Sequence, residues 1–172
     1  RLVSDWSSDV CSSDLGNYSA AEPWFVMGLE VCRDRLGDRH PDVATSLNNL
    51  ALLYESQGRY EEAEPYLLQG LEMSRELLGE RHPDVATSLN NLAALYESQG
   101  RYEEAEPFYK QALDMRRELL GDRHPDVAIS LNNLAALYQS QGRYEKAKPL
   151  ALKALRSEER RVGKECRSRW SP

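Results

Sequence analysis

The chain has 172 residues, 41% of them hydrophobic and 29% charged, with 28 acidic against 22 basic side chains and a formal net charge of −6. Regularly placed apolar residues in that proportion exclude a disordered chain, and no stretch approaches the roughly 20 apolar residues of a membrane-spanning helix. Three cysteines do not make a disulfide scaffold, and the acidic balance excludes a general nucleic-acid binder, which needs a basic face against phosphate.

The first segment, residues 1–15 (RLVSDWSSDVCSSDL), shows no helical or strand period and is crowded with Ser and Asp. The last, residues 156–172 (RSEERRVGKECRSRWSP), holds the basic cluster of the chain. Both strings look like translated sequencing-adapter DNA at the ends of a metagenomic fragment, and both are set aside before fold reasoning; the alternative for the second is a natural basic tail. Neither is expected to add to the core, although residues 156–162 carry a composition that allows the last helix to continue. With these removed one cysteine remains, Cys32. A lone cysteine in an acidic domain without a signal peptide implies a reducing, cytoplasmic setting.

Between these ends one unit recurs. His40, His82 and His124 are 42 residues apart, as are Gly58, Gly100 and Gly142, and Pro65, Pro107 and Pro149. Residues 37–78 and 79–120 agree at 34 of 42 positions. The division is therefore a half unit over 16–36, full units over 37–78 and 79–120, and a third over 121–155.

Each unit predicts two helices. The first begins at His-Pro-Asp, since proline suits the first helical position and aspartate the positive end of the helix dipole. It stops at Gly100 or its copies, each a natural left-handed C-terminal residue. The second runs from about Tyr102 to Leu120, with Pro107 near its first turn, where a missing donor costs little. No segment alternates with period two, so no strands are expected. At roughly 100° per residue, Leu50, Ala51 and Tyr54 fall within about 60° of Leu47, while Leu53 lies to one side. A helix with two apolar sides needs two neighbours. One hairpin cannot supply both, whereas stacked hairpins can. The ends of such a stack would leave Trp24, Phe25 and Leu29, and Leu150 and Leu155, without neighbours, which implies end-to-end self-association.

Leu47, Leu50, Ala51 and Tyr54 of the first helix, then Ala63, Leu67 and Gly70 of the second, resemble the tetratricopeptide pattern. The unit here is longer than the usual tetratricopeptide period of about 34. With LNNLA, LY, QGRYEEAEP and the LG…HPDVA connector, it resembles the repeats of kinesin light chains and their bacterial relatives. The resemblance covers residues 16–155 and implies an all-α, right-handed solenoid of stacked antiparallel helix pairs. The heptad coiled coil of a true light chain is absent, so no motor role is carried over.

Zinc ligands lie about 2.0–2.1 Å from one ion, whereas equivalent positions in stacked repeats are at least ~8–10 Å apart. The three histidines cannot share a metal and are read as helix caps. The Glu61-Glu62-Ala63-Glu64 run and its copies sit in a first helical turn and are read as a solvated helix start. No nucleophile elbow, P-loop or glycine-rich dinucleotide motif occurs. The tyrosines at 54, 96 and 138 and at 60, 102 and 144 are assigned to the core or its edge. Nothing implies a cofactor, a metal or catalysis.

The asparagine pairs stand apart, because asparagine is a poor helix former in mid-helix. Thr45, Asn48, Asn49, Leu52 and Ser56 fall roughly 100–200° from Leu47 on the wheel. Their copies are Thr87, Asn90, Asn91, Ala94 and Ser98, then Ile129, Asn132, Asn133, Ala136 and Ser140. In the tetratricopeptide fold this face lines the concave groove, and in proteins the repeats resemble, groove asparagines hold ligand backbone. An amide offers both donor and acceptor to an extended peptide. The alternative is that these amides bond neighbouring helices and set the repeat spacing. Asn49, Asn91 and Asn133 are assigned first to the ligand; for Asn48, Asn90 and Asn132 both roles stay open. The expected function is non-catalytic binding of a protein or peptide, with no nucleic acid and no membrane. The rival is a sensor or scaffold array within a larger signalling protein whose enzymatic domain lies outside this sequence.

Overall fold

The computed structural model describes residues 18–169, with side chains described over residues 20–157. Among the described residues there are seven helices and no strand: α1 (Tyr18–Leu36), α2 (Pro41–Ser56), α3 (Tyr60–Leu78), α4 (Pro83–Ser98), α5 (Tyr102–Leu120), α6 (Pro125–Ser140) and α7 (Tyr144–Arg169). Residues 1–15, set aside on their sequence, lie outside the described residues. The last helix runs on past residue 162 to Arg169.

The helix starts follow from local chemistry. At each of α2, α4 and α6, the preceding histidine is extended and its Nδ1 accepts the N–H of the aspartate two residues on, at 3.2 Å. A donor that would otherwise be orphaned in the first turn is thereby satisfied. Gly100, just beyond α4, has φ +74°, a conformation open to glycine at no steric cost. The second helices lack a side-chain cap at their starts; Ala63 and Ala105 bond the carbonyls of Arg59 and Arg101 instead.

Helices pair as α2 with α3, α4 with α5 and α6 with α7, and each pair packs on the next through its second helix. The stripe predicted for the first helices is the core: Leu47, Leu89 and Leu131 are fully buried, as are Leu95 and Leu137 on the flank. Each first helix packs both on its own second helix and on the second helix of the preceding pair, which gives it the two neighbours its two apolar sides need. The result is an all-α tetratricopeptide-type solenoid.

A second network joins consecutive pairs. Glu64 on α3 accepts from Tyr96 Oη and Arg101 Nη1, both at 3.0 Å, and the Arg101 guanidinium stacks 4.1 Å from the Tyr96 ring centroid. The same triangle is formed by Glu22, Tyr54 and Arg59, and by Glu106, Tyr138 and Arg143. These glutamates are not simply a solvated helix start. Their carboxylates anchor the following pair, which a reading of one helix at a time could not show.

The ends depart from the interior in a measurable way. Leu155 is 55% exposed, whereas its copies Leu29, Leu71 and Leu113 are 4%, 4% and 3% exposed. Trp24 and Phe25 are 55% and 39% exposed. Leu29 does not join them; it is 4% exposed and belongs to the core cluster. Tyr144, assigned to the core edge, is exposed, unlike the partly buried Tyr60 and Tyr102; no further helix pair follows α7 among the described residues. In the same residues no helix is long and apolar enough to cross a membrane.

Candidate functional site

The first helices α2, α4 and α6 stand side by side and present the Thr, Asn, Asn, Leu/Ala and Ser positions on a shared face. Threonine hydroxyls are turned back onto their own helix: Thr45 Oγ1 donates to the Pro41 carbonyl at 3.2 Å and Thr87 Oγ1 to that of Pro83 at 3.1 Å. This leaves the threonine methyls and the amides to define the surface.

Between α2 and α4 the face opens into a cavity of about 310 Å³, lined by Thr45, Asn48, Asn49, Leu52, Thr87 and Asn91, with Pro41, Ser74 and Asp84. Six of the fifteen residues proposed from the sequence are thus brought together. The side chains of Asn49 and Asn91 make no hydrogen bond to another described residue. A second cavity of about 280 Å³ adjoins it, lined by Trp24, Phe25, Gly28, Ser46 and Asn49. Asn49 faces both. The sequence places Trp24 and Phe25 at the end of the stack, whereas the structure puts them in a cavity wall with Asn49, through the packing of α1 on α2.

The other proposed residues have other surroundings. Asn48 is buried, and its Nδ2 donates to Ser88 Oγ on α4 at 3.0 Å. Its Oδ1 has no partner and lies against Gly70 on α3, where an added Cβ would meet it at 2.9 Å. Asn90, the copy of Asn48, is only partly buried and accepts from Asn133 Nδ2 at 2.8 Å. Ser98 and Ser140 form rungs along the face, donating to Glu55 and Glu97 at 2.9 and 3.5 Å. Ser56 Oγ turns to the Leu53 carbonyl at 2.6 Å. Ile129, Asn132 and Ala136 on α6 are exposed and lie outside the α2/α4 cavity, and Ala94 is partly buried.

The electrostatics of this face are set by a few buried groups. Burial pushes the Glu55 carboxyl up, although the bond from Ser98 opposes it. Tyr109, buried on α5, donates to Glu97 Oε2 at 2.9 Å, and burial together with that carboxylate holds its phenol protonated far above the usual range. Arg116 on α5 is only 7% exposed and has three oxygen acceptors: Ser130 Oγ at 2.8 Å, the Asp126 carbonyl at 3.3 Å and Thr87 Oγ1 at 3.3 Å. Burial pushes its guanidinium pKa down, with the Asp126 charge opposing. In the repeat, Arg116 is the copy of Cys32 and Ser74, a position that varies between units. Its reach across to α4 and α6 was invisible there, because no local motif signals a contact made through a long side chain.

Each histidine is engaged at its own helix start. Among the described residues no group of three or more His, Cys, Asp or Glu side chains is placed to hold a metal.

The profile of the tetratricopeptide repeat family matches residues 9–76, 57–118 and 84–159. Among solved structures, the chain is similar to BtubC (BKLC) from P. vanneervenii, at 30% identity and a TM-score of 0.76, over 86% of this chain and 59% of that one. It is also similar to a Podosopora anserina protein described as having kinesin light chain, nearly identical TPR-like repeats, at 25% identity and a TM-score of 0.71, over 84% of this chain and 69% of that one. A Rap protein complexed with Competence and Sporulation Factor shares the fold, at 19% identity and a TM-score of 0.72, over 84% of this chain and 40% of that one. The chain thus spans 59% of the length of BtubC. No curated protein matches it by sequence.

Proposed function

Because the chain belongs to the tetratricopeptide repeat family, whose members are protein–protein interaction modules, we propose that it binds an extended peptide segment of a protein partner along the face of its first helices, without catalysis. One observation carries this reading. The amides of Asn49 and Asn91, free of hydrogen bonds to other described residues, line opposite walls of the same cavity of about 310 Å³. An amide in mid-helix costs up to ~0.7 kcal/mol in helix propensity relative to alanine. A donor–acceptor pair offered to each stretch of ligand backbone is a physical reason to keep it. The partner is a protein or peptide, and a cytoplasmic setting belongs to the same reading.

The test is a titration against immobilised 12-residue peptides, with the tightest binder carried into solution. Asn91→Ala is expected to weaken that peptide by about fivefold, one net hydrogen bond, while leaving the melting temperature unchanged or slightly raised. Leu92→Ala, in the fully buried stripe, should cost ~2–5 kcal/mol of stability. Should Asn91→Ala destabilise the array as Leu92→Ala does, or leave the peptide's affinity intact, the groove reading fails.

A further inference from the structure

The first helices are nearly identical in sequence, yet the intervals between them do not form the same structure. In the interval between α2 and α4, Ser74 is short and donates to the Gly70 carbonyl at 2.8 Å. Ser88 Oγ therefore remains available, and Asn48 takes it. Gly70 makes this possible, because any Cβ there would press on Asn48 Oδ1 at 2.9 Å. With Asn48 turned inward, Asn91 stays uncommitted and the cavity stands open.

In the interval between α4 and α6, the copies of Gly70 and Ser74 are Ala112 and Arg116. Ala112 supplies the Cβ that, at position 70, would crowd an inward amide at 2.9 Å. Arg116 takes Ser130 Oγ, the acceptor that Asn90 would need. Asn90 is accordingly displaced outward and receives Asn133 Nδ2 at 2.8 Å. The groups that line the first cavity, Thr45, Ser74 and Asp84, have Thr87, Arg116 and Asp126 as their copies. These last three are joined through the Arg116 guanidinium. The guanidinium thus bridges groups whose copies, one repeat earlier, line the open cavity.

We infer that Ala112 and Arg116 are positioning residues that close the second interval of the groove, so that a ligand is admitted between α2 and α4 and its register along the array is set there. The inference takes the groove from the reading above, but the closure itself is a property of the free protein. It explains how an array of nearly identical repeats can hold a ligand at one place: a guanidinium and one methyl group break the repeat symmetry.

The measurement is hydrogen exchange of the asparagine side-chain amides by NMR, with resonances assigned through the Asn91→Ala and Asn133→Ala variants. In the unmodified protein, the Asn133 amide protons should exchange about fivefold more slowly than those of Asn91, the equivalent of one net hydrogen bond. The A112G/R116S variant should bring Asn133 to the Asn91 rate and admit a second copy of the peptide selected above. The reverse variant, G70A/S74R, should slow Asn91 and lose the peptide. Equal rates at Asn91 and Asn133 in the unmodified protein overturn the inference. So does an Asn133 rate that A112G/R116S leaves slow. If the amide rates respond as expected while Asn91→Ala leaves peptide affinity intact, the closure stands and the ligand reading falls.

Discussion

At the scale of single residues, the structure is governed by which partner reaches a group first. Glu106 shows this for charge. Burial pushes its carboxyl up, but hydrogen bonds from Lys110, Arg143 and Tyr138 outweigh that and hold its pKa at about 2. A carboxyl whose folded value lies below its unfolded value stabilises the protein above the unfolded value, and that contribution fades as the pH falls through the folded one. The loss should therefore run from about pH 4.5 down to about pH 2. Glu106→Gln is expected to be less stable than the unmodified protein at pH 7 and to lose less on acidification; urea titrations at pH 7 and pH 3 check this. An equal loss in both proteins between those pH values would assign the acid sensitivity elsewhere.

At the scale of elements, the helix boundaries are set by groups within two or three residues of each end. Removing the cap with His82→Ala leaves the Asp84 N–H without its 3.2 Å acceptor and should cost ~0.5–2 kcal/mol. The glycine stops act through backbone conformation alone. A Cβ on Gly100 would meet nothing within 4 Å, yet φ is +74°. Gly100→Ala should therefore cost about 1–2 kcal/mol, and Gly100→Asn less, since asparagine tolerates the left-handed region. Denaturant midpoints for the two variants give the comparison, and a larger loss for Asn would show that space, not conformation, decides the position.

At the scale of the whole molecule, stability is shared between neighbouring pairs. The Glu–Tyr–Arg triangles and the leucines at 29, 71 and 113 couple each pair to the next. Where no further pair follows among the described residues, the same leucine is exposed: Leu155 at 55%. Leu152, at 45%, is exposed on the same helix, and self-association through this apolar surface that grows with concentration is the expected outcome. Leu155→Glu should suppress it in sedimentation without lowering the melting temperature, whereas Leu113→Glu, at a position 3% exposed, should unfold the array. Unchanged association in Leu155→Glu would place the contact elsewhere.

The amino-acid sequence by itself determined the repeat, its two helices, their caps and stops, and the buried stripe. These depend on near neighbours or on a period of 3.6, and both are written along the chain. It also narrowed the candidate face, because threonine, asparagine and serine gather on one side of the wheel. What each asparagine does was decided only in the tertiary structure. The segments around Asn48-Asn49 and Asn90-Asn91 read alike, SLNNLA in both, yet Asn48 is buried against Ser88 and Asn90 is turned out to Asn133. The difference originates at positions 70 and 74 against 112 and 116, on the neighbouring second helix. A methyl group and a guanidinium act there through space, on side chains that no local pattern connects to them. Arg101 and Glu64 show the same division: each reads as surface charge at a helix start, and only the stacking of one pair on the next brings them to 3.0 Å.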